Sequence, residues 1–83
     1  MYELRIYKKA QIAIKKIPRL YQKPVIETLG EILEVPLTGK PLTHELSGRF
    51  SFKVGPYRII YKVSKREKLI HVIAVGHRSK IYE

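Results

Sequence analysis

Residues 49–54 read Arg-Phe-Ser-Phe-Lys-Val, and a Gly55-Pro56 pair separates them from Tyr57-Arg58-Ile59-Ile60-Tyr61-Lys62-Val63. Strict alternation puts Phe50, Phe52 and Val54 on one side of a strand and Arg49, Ser51 and Lys53 on the other. Gly-Pro is a turn signal, so the second segment forms the next strand, and Arg58 falls close to Lys53 across the turn. A chain built around this segment must bury one sheet face and leave cations on the other. Between Glu45 and Glu67 there are six Lys or Arg (Arg49, Lys53, Arg58, Lys62, Lys65, Arg66) and no acid. A sheet carrying cations with no neighbouring carboxylate is suited to an anion, and a nucleic-acid backbone is the foremost candidate.

The rest of the chain supplies what covers the apolar face. Tyr2 to Tyr7 alternates and is rich in β-formers, which predicts a first strand. Ala10, Ala13, Ile14 and Ile17 keep helical spacing, which predicts a helix over 8–17. A second helix carries Val25, Ile26, Leu29, Ile32 and Leu33. It starts at Pro18 or, if Pro24 kinks or delays it, near residue 23. Val35-Pro36 ends it. Residues 36–45 read as a loop, 64–68 as a turn, and Leu69 to Val75 as a central strand with His71 in the core. Gly76 marks a break or bulge at its end. The expected fold is α+β, in the order β-α-α-β-β-β. Two N-terminal helices pack on one face of a mainly antiparallel four-stranded sheet, within a single domain spanning 1–83.

Composition narrows the chemistry. The formal charge is +10, which draws the chain to polyanions and makes an acidic protein partner favourable. There is no Cys, Asp or Asn, and the acids are seven Glu. Thiol chemistry, disulfides and clustered carboxylates for a divalent cation are therefore not expected. The three His are dispersed (His44, His71, His77) and have no metal-ligand spacing. No cofactor and no metal site are expected. The first seven residues are too short and polar for a signal peptide, and no apolar run approaches a membrane span. A cytoplasmic protein without membrane contact is the expectation.

One reaction needs little more than basic side chains. RNA is cut when its own 2′-hydroxyl attacks the adjacent phosphate. A catalyst must then supply a base, cations for the phosphorane charge and an acid for the 5′-oxygen. Lys53, Arg58 and Arg78 can serve such a centre, with Tyr82 as a further acid or base or as a stacking platform. Arg49, Ser51, Lys62, His77 and Lys80 are the expected RNA contacts around it. Each has a plainer role open to it: Lys53 as a solvated strand lysine, Arg58 as a salt-bridge partner, Tyr82 as a hydrophobic anchor.

Leu46-Ser47-Gly48, Phe52-Lys53-Val54-Gly55, Tyr57-Arg58-Ile59-Ile60-Tyr61, Val75-Gly76-His77-Arg78 and Ile81-Tyr82 together resemble the RelE/ParE toxin superfamily, over essentially the whole chain. The connector Pro36 to Leu42 fits as well. The resemblance implies a type II toxin that cuts mRNA in the ribosomal A site without a metal and is inhibited by an acidic RelB-like antitoxin. Its partners would be mRNA, the ribosome (small-subunit rRNA) and that antitoxin. Arg58 would stabilise the phosphate and Arg78 would be a second phosphate-stabilising or acid-side residue. Tyr82 would stack on or orient the nucleotide, and Lys53 would be the general base or its electrostatic support. Ser51 departs from members that carry a second lysine there, and Arg49 is placed to compensate. The ParE branch, which binds DNA gyrase and is not a nuclease, is the alternative.

Overall fold

The computed structural model describes residues 1–42 and 48–81. His44, the Glu45-Leu46-Ser47 stretch and Tyr82 lie outside the described residues. The elements are β1 (Glu3–Ile6), α1 (Lys8–Lys16), α2 (Arg19–Glu34), β2 (Lys40–Pro41), β3 (Arg49–Val54), β4 (Tyr57–Ser64) and β5 (Leu69–His77). They form one five-stranded sheet in the order β1-β5-β4-β3-β2, antiparallel except for the parallel β1–β5 pair. The expected β-α-α-β-β-β order is present. The strand count is five, not four, because Lys40 and Pro41 pair with Ser51 and Phe50. A two-residue strand ending in Pro, which has no N–H for the ladder, leaves no strand pattern to read.

Pro24 neither delays nor ends α2. Pro18 caps it, and Pro24 lies inside it. The carbonyl that a residue-24 N–H would have met belongs to Leu20, whose side chain is 77% exposed, so water can serve it. The Gln22 amide donates to the Lys15 and Ile17 carbonyls, at 3.2 and 3.0 Å, and so closes the end of α1.

The core sits between the helices and one sheet face. Ala10, Ile17, Val25, Leu29 and Ile32 meet Val54, Ile59, Tyr61, Ile70, Val72 and Val75. Phe50, Phe52, Tyr57 and Val63 pack against the same cluster, as the alternation of β3 and β4 requires. Tyr61 is fully buried and stacks on Phe50 with ring centroids 5.4 Å apart. Its hydroxyl accepts the Gly39 N–H at 2.8 Å. A Cβ on residue 39 would run into that hydroxyl, so only glycine lets the connector come this close. Burial raises the Tyr61 phenol above its ordinary value of 10.0, against a smaller lowering by this hydrogen bond.

β5 carries the irregularity, though not at Gly76, which stays within the strand. Ile60 pairs with Ala74 and Tyr61 with Val72, so Ile73 is the extra residue of a bulge. A one-residue shift exchanges the two faces of a strand. Here it turns His71 away from the helices, opposite Lys62. His71 is half-buried rather than a core residue, and its ring meets Tyr7 edge-on at 6.0 Å.

Candidate nucleic-acid interface

The sheet face away from the helices is organised in rows, because residues directly opposite one another in a sheet share a face. Lys53 lies opposite Arg58, and Arg58 opposite Gly76. Four residues along the hairpin, Arg49 lies opposite Lys62. Between them run Ser51, Ile60 and Ala74. Two pairs of like charges therefore face each other across β3 and β4, an arrangement that destabilises a sheet unless an anion joins it.

The first pair is held at a turn. Gly55 has φ +58°, a left-handed conformation that glycine adopts without penalty. A Cβ there would stand 2.7 Å from the Tyr21 ring of α2, so the turn is seated against the helix. Arg58 Nη1 donates to the Gly55 carbonyl at 3.1 Å and to the Tyr57 carbonyl at 2.9 Å. These bonds hold the guanidinium at the turn and use only part of its five-donor fork. The Arg78 backbone N–H donates to the Pro56 carbonyl at 2.8 Å, which ties Arg78 to the same turn. Lys53, Arg58 and Arg78 are thus gathered at one end of the sheet, as expected from their place in the sequence. Ile81 closes over Gly76, 3.2 Å from where a Cβ would stand, and so lies beside Arg58.

Other expected contacts are distributed differently. Arg49 and Lys62 are on the cationic face, with Lys62 exposed and Arg49 half-buried. Lys80 is exposed in the turn after β5. Ser51 was expected to project from the uncovered face but is only 7% exposed, because β2 pairs alongside it and closes that edge. His77 lies opposite Tyr57, with their rings edge to face at 5.7 Å, and so shares the face that packs on Tyr21 rather than that of Arg58. Its Nδ1 accepts the Ser79 N–H at 3.1 Å and lies 2.8 Å from Ser79 Oγ.

The face also contains cations that strand alternation did not reveal. Lys40 stands opposite Ser51 and, with Thr38 and Lys53, rims a shallow pocket of about 250 Å³. Arg5 stands opposite His71. Lys40 was hidden in an apparent loop, and Arg5 becomes part of the face only through the long-range β1–β5 pairing. On the helical side, an apolar groove of about 590 Å³ opens between α1 and α2, lined by Leu4, Ile6, Ile14, Ile26 and Leu29. Among the described residues, no group of three or more His, Cys, Asp or Glu is placed to hold a metal ion. Nor is any helix among them long and apolar enough to cross a membrane.

The family model described as the ParE toxin of the type II toxin–antitoxin system parDE matches residues 4–82. The chain belongs to that toxin family. Toxin RelG of Mycobacterium tuberculosis (strain ATCC 25618 / H37Rv) is 34% identical over 83 residues, covering 98% of this chain and 95% of the relative. Toxin RelE of the same strain is 28% identical, covering 98% and 86%. Among solved structures, the M. tuberculosis toxin–antitoxin complex RelBE2 has a chain with TM-score 0.84 and 33% identity, covering 93% of this chain and 98% of that one. The isolated E. coli RelE toxin has TM-score 0.80 at 24% identity, covering 99% and 92%, a likeness that speaks for the fold alone. The chain is thus a type II toxin of the RelE/ParE superfamily. The family name and the relatives' names come from the two branches of that superfamily, so the site chemistry must distinguish them.

Proposed function

We propose that this toxin is a ribosome-dependent endoribonuclease that cuts mRNA in the A site by 2′-hydroxyl attack and needs no metal for the step. The observation that carries this reading is the Lys53–Arg58 pair, directly opposed on one face and joined by Arg78 at the same turn. The 2′-oxygen bonds to phosphorus and gives up its proton to a base. The 5′-oxygen leaves with a proton from an acid, and a 2′,3′-cyclic phosphate remains. Arg58 and Arg78 carry the charge that builds on the phosphorane. Lys53 takes the 2′-proton or supports the group that does. Tyr82 orients the nucleotide. Because the substrate brings its own nucleophile, DNA is inert.

The partner would be a RelB-like antitoxin. Acidic segments would neutralise the cationic face, and the apolar groove between α1 and α2 offers a contact of the opposite character. The compartment is the cytoplasm, where translating ribosomes are found.

Primer extension on a defined mRNA, with and without programmed ribosomes, tests the reading. Cuts that need the ribosome, end in a cyclic phosphate and vanish with Arg58→Ala or with a 2′-deoxy nucleotide at the cut are expected. Cutting that survives Arg58→Ala combined with Arg78→Ala would overturn the assignment. The description of the matched family as a ParE toxin favours gyrase inhibition as the second reading. Folded, antitoxin-free protein that never cuts but blocks supercoiling would establish it instead.

A further inference from the structure

The cationic face contains a second row that the proposed chemistry does not use. Arg49 lies opposite Lys62, Lys62 opposite His71, and His71 opposite Arg5. The row crosses four strands, β3, β4, β5 and β1, which at sheet spacing is about 14 Å from end to end. Tyr7 closes it: its ring stands at 76° to His71, and the residue is 45% exposed. Glu3 lies further out, opposite Leu69. The row therefore holds Arg, Lys, His and Arg without an acid, next to an exposed aromatic ring.

We infer that this row is a second backbone-binding subsite for single-stranded RNA, about 13 Å from the Lys53–Arg58 pair along the hairpin, with Tyr7 stacking on a base beyond it. Two features select a single strand. The two cationic rows are separated by the uncharged Ser51, Ile60 and Ala74, and because Ser51 and Ile60 are buried, a single strand would touch the face at the rows and bridge the strip between them. A basic track with an aromatic side chain at its end is how single strands are held without sequence readout. The β5 bulge is what completes the row, since in an unbroken ladder Val72 would face Lys62 in place of His71. The inference rests on the RNA-cutting reading for its ligand, but its test does not require cutting.

The probes are uncleavable 2′-O-methyl oligouridylates of about four and about ten nucleotides, followed by fluorescence anisotropy at several salt concentrations. Wild type is expected to bind the longer probe at least tenfold more tightly, with a salt slope steeper by about 1 to 2. Arg5→Gln combined with Lys62→Gln should remove most of that gain and flatten the slope by about 1. Tyr7→Ala should weaken the longer probe roughly tenfold with the slope kept, because stacking releases no counterions. Arg19→Gln combined with Lys23→Gln, on α2, removes the same charge and should leave the length gain in place. The site is overturned if Arg5→Gln/Lys62→Gln binds both probes as wild type does, or if a duplex of equal length binds as well as the single strand. A length gain without ribosomal cutting would refute the nuclease and keep the site. Cutting without a length gain would do the reverse.

Discussion

The two faces of β4 differ more than the chemistry of one strand suggests. Ile59 and Tyr61 point into the helices and are fully buried, while their neighbours Arg58 and Lys62 point the other way, half-buried and exposed. On one side each residue is chosen by fit, and the neighbouring groups improve one another's packing. On the other, Lys53 and Arg58 repel across the ladder, and so do Arg49 and Lys62. One face contributes stability and the other gives some of it up to like-charge repulsion, and the backbone between them keeps the two apart.

That separation can be broken from either side. Ile59→Ala should cost about 2–5 kcal/mol of stability, because it opens a cavity under both helices. Urea unfolding reads the loss, and folded protein at low denaturant should retain the proposed RNA cutting. Arg58→Ala should do the opposite: a drop of about 10²–10³-fold in the rate of cutting, with an unfolding midpoint close to wild type. Loss of stability from Arg58→Ala comparable to that from Ile59→Ala would show that the two faces are not separable.

Finer substitutions sharpen the contrast. Tyr61→Phe deletes the acceptor of the Gly39 N–H and should cost about 1–3 kcal/mol, since it leaves a buried donor without a partner. It should also alter the response to alkali. The folded Tyr61 holds its proton above the ordinary 10.0. Below that value both states are protonated and stability is unaffected. Above it the unfolded chain ionises first, and stability falls until the folded pKa is passed. Wild type should therefore lose stability more steeply than Tyr61→Phe above about pH 10, measured by denaturation at fixed salt. The smallest effect belongs to Lys53→Gln. Relief of repulsion should raise stability by a few tenths of a kcal/mol at low ionic strength, fading with added salt, while cutting is weakened.

How much of this was legible in the sequence follows from the range of the interactions. The β3–β4 hairpin could be read because alternation and a Gly-Pro turn are local, and with it came Lys53 opposite Arg58. Arg78 could be placed because only one turn separates β5 from the end of that hairpin. Ser51 is on the expected face, but its burial was missed because its edge is closed by Lys40, eleven positions away in a two-residue strand without a pattern. His71 was assigned to the core because an apolar run hides a bulge: Ile73 adds a residue to β5 that no composition signal marks. Arg5 was overlooked because its place on the cationic face depends on a partner strand at the other end of the chain. His77 follows Gly76 in the sequence, yet it sits with Tyr57, since a strand carried through the glycine sends the next side chain to the opposite face.

The parallel pairing of β1 with β5 has a consequence in time. Glu3 waits for Leu69 and Ile6 for Val72, so this ladder is set almost entirely by contacts far apart in sequence. Such contacts form late, after the entropy of closing a long loop has been met. The β3–β4 hairpin, by contrast, pairs residues close in sequence and can form before Ile70 and Val72 seal the core. For that interval the chain is a basic, partly open polypeptide, and a partner that recognises the finished sheet has no complete surface to hold until β1 has met β5.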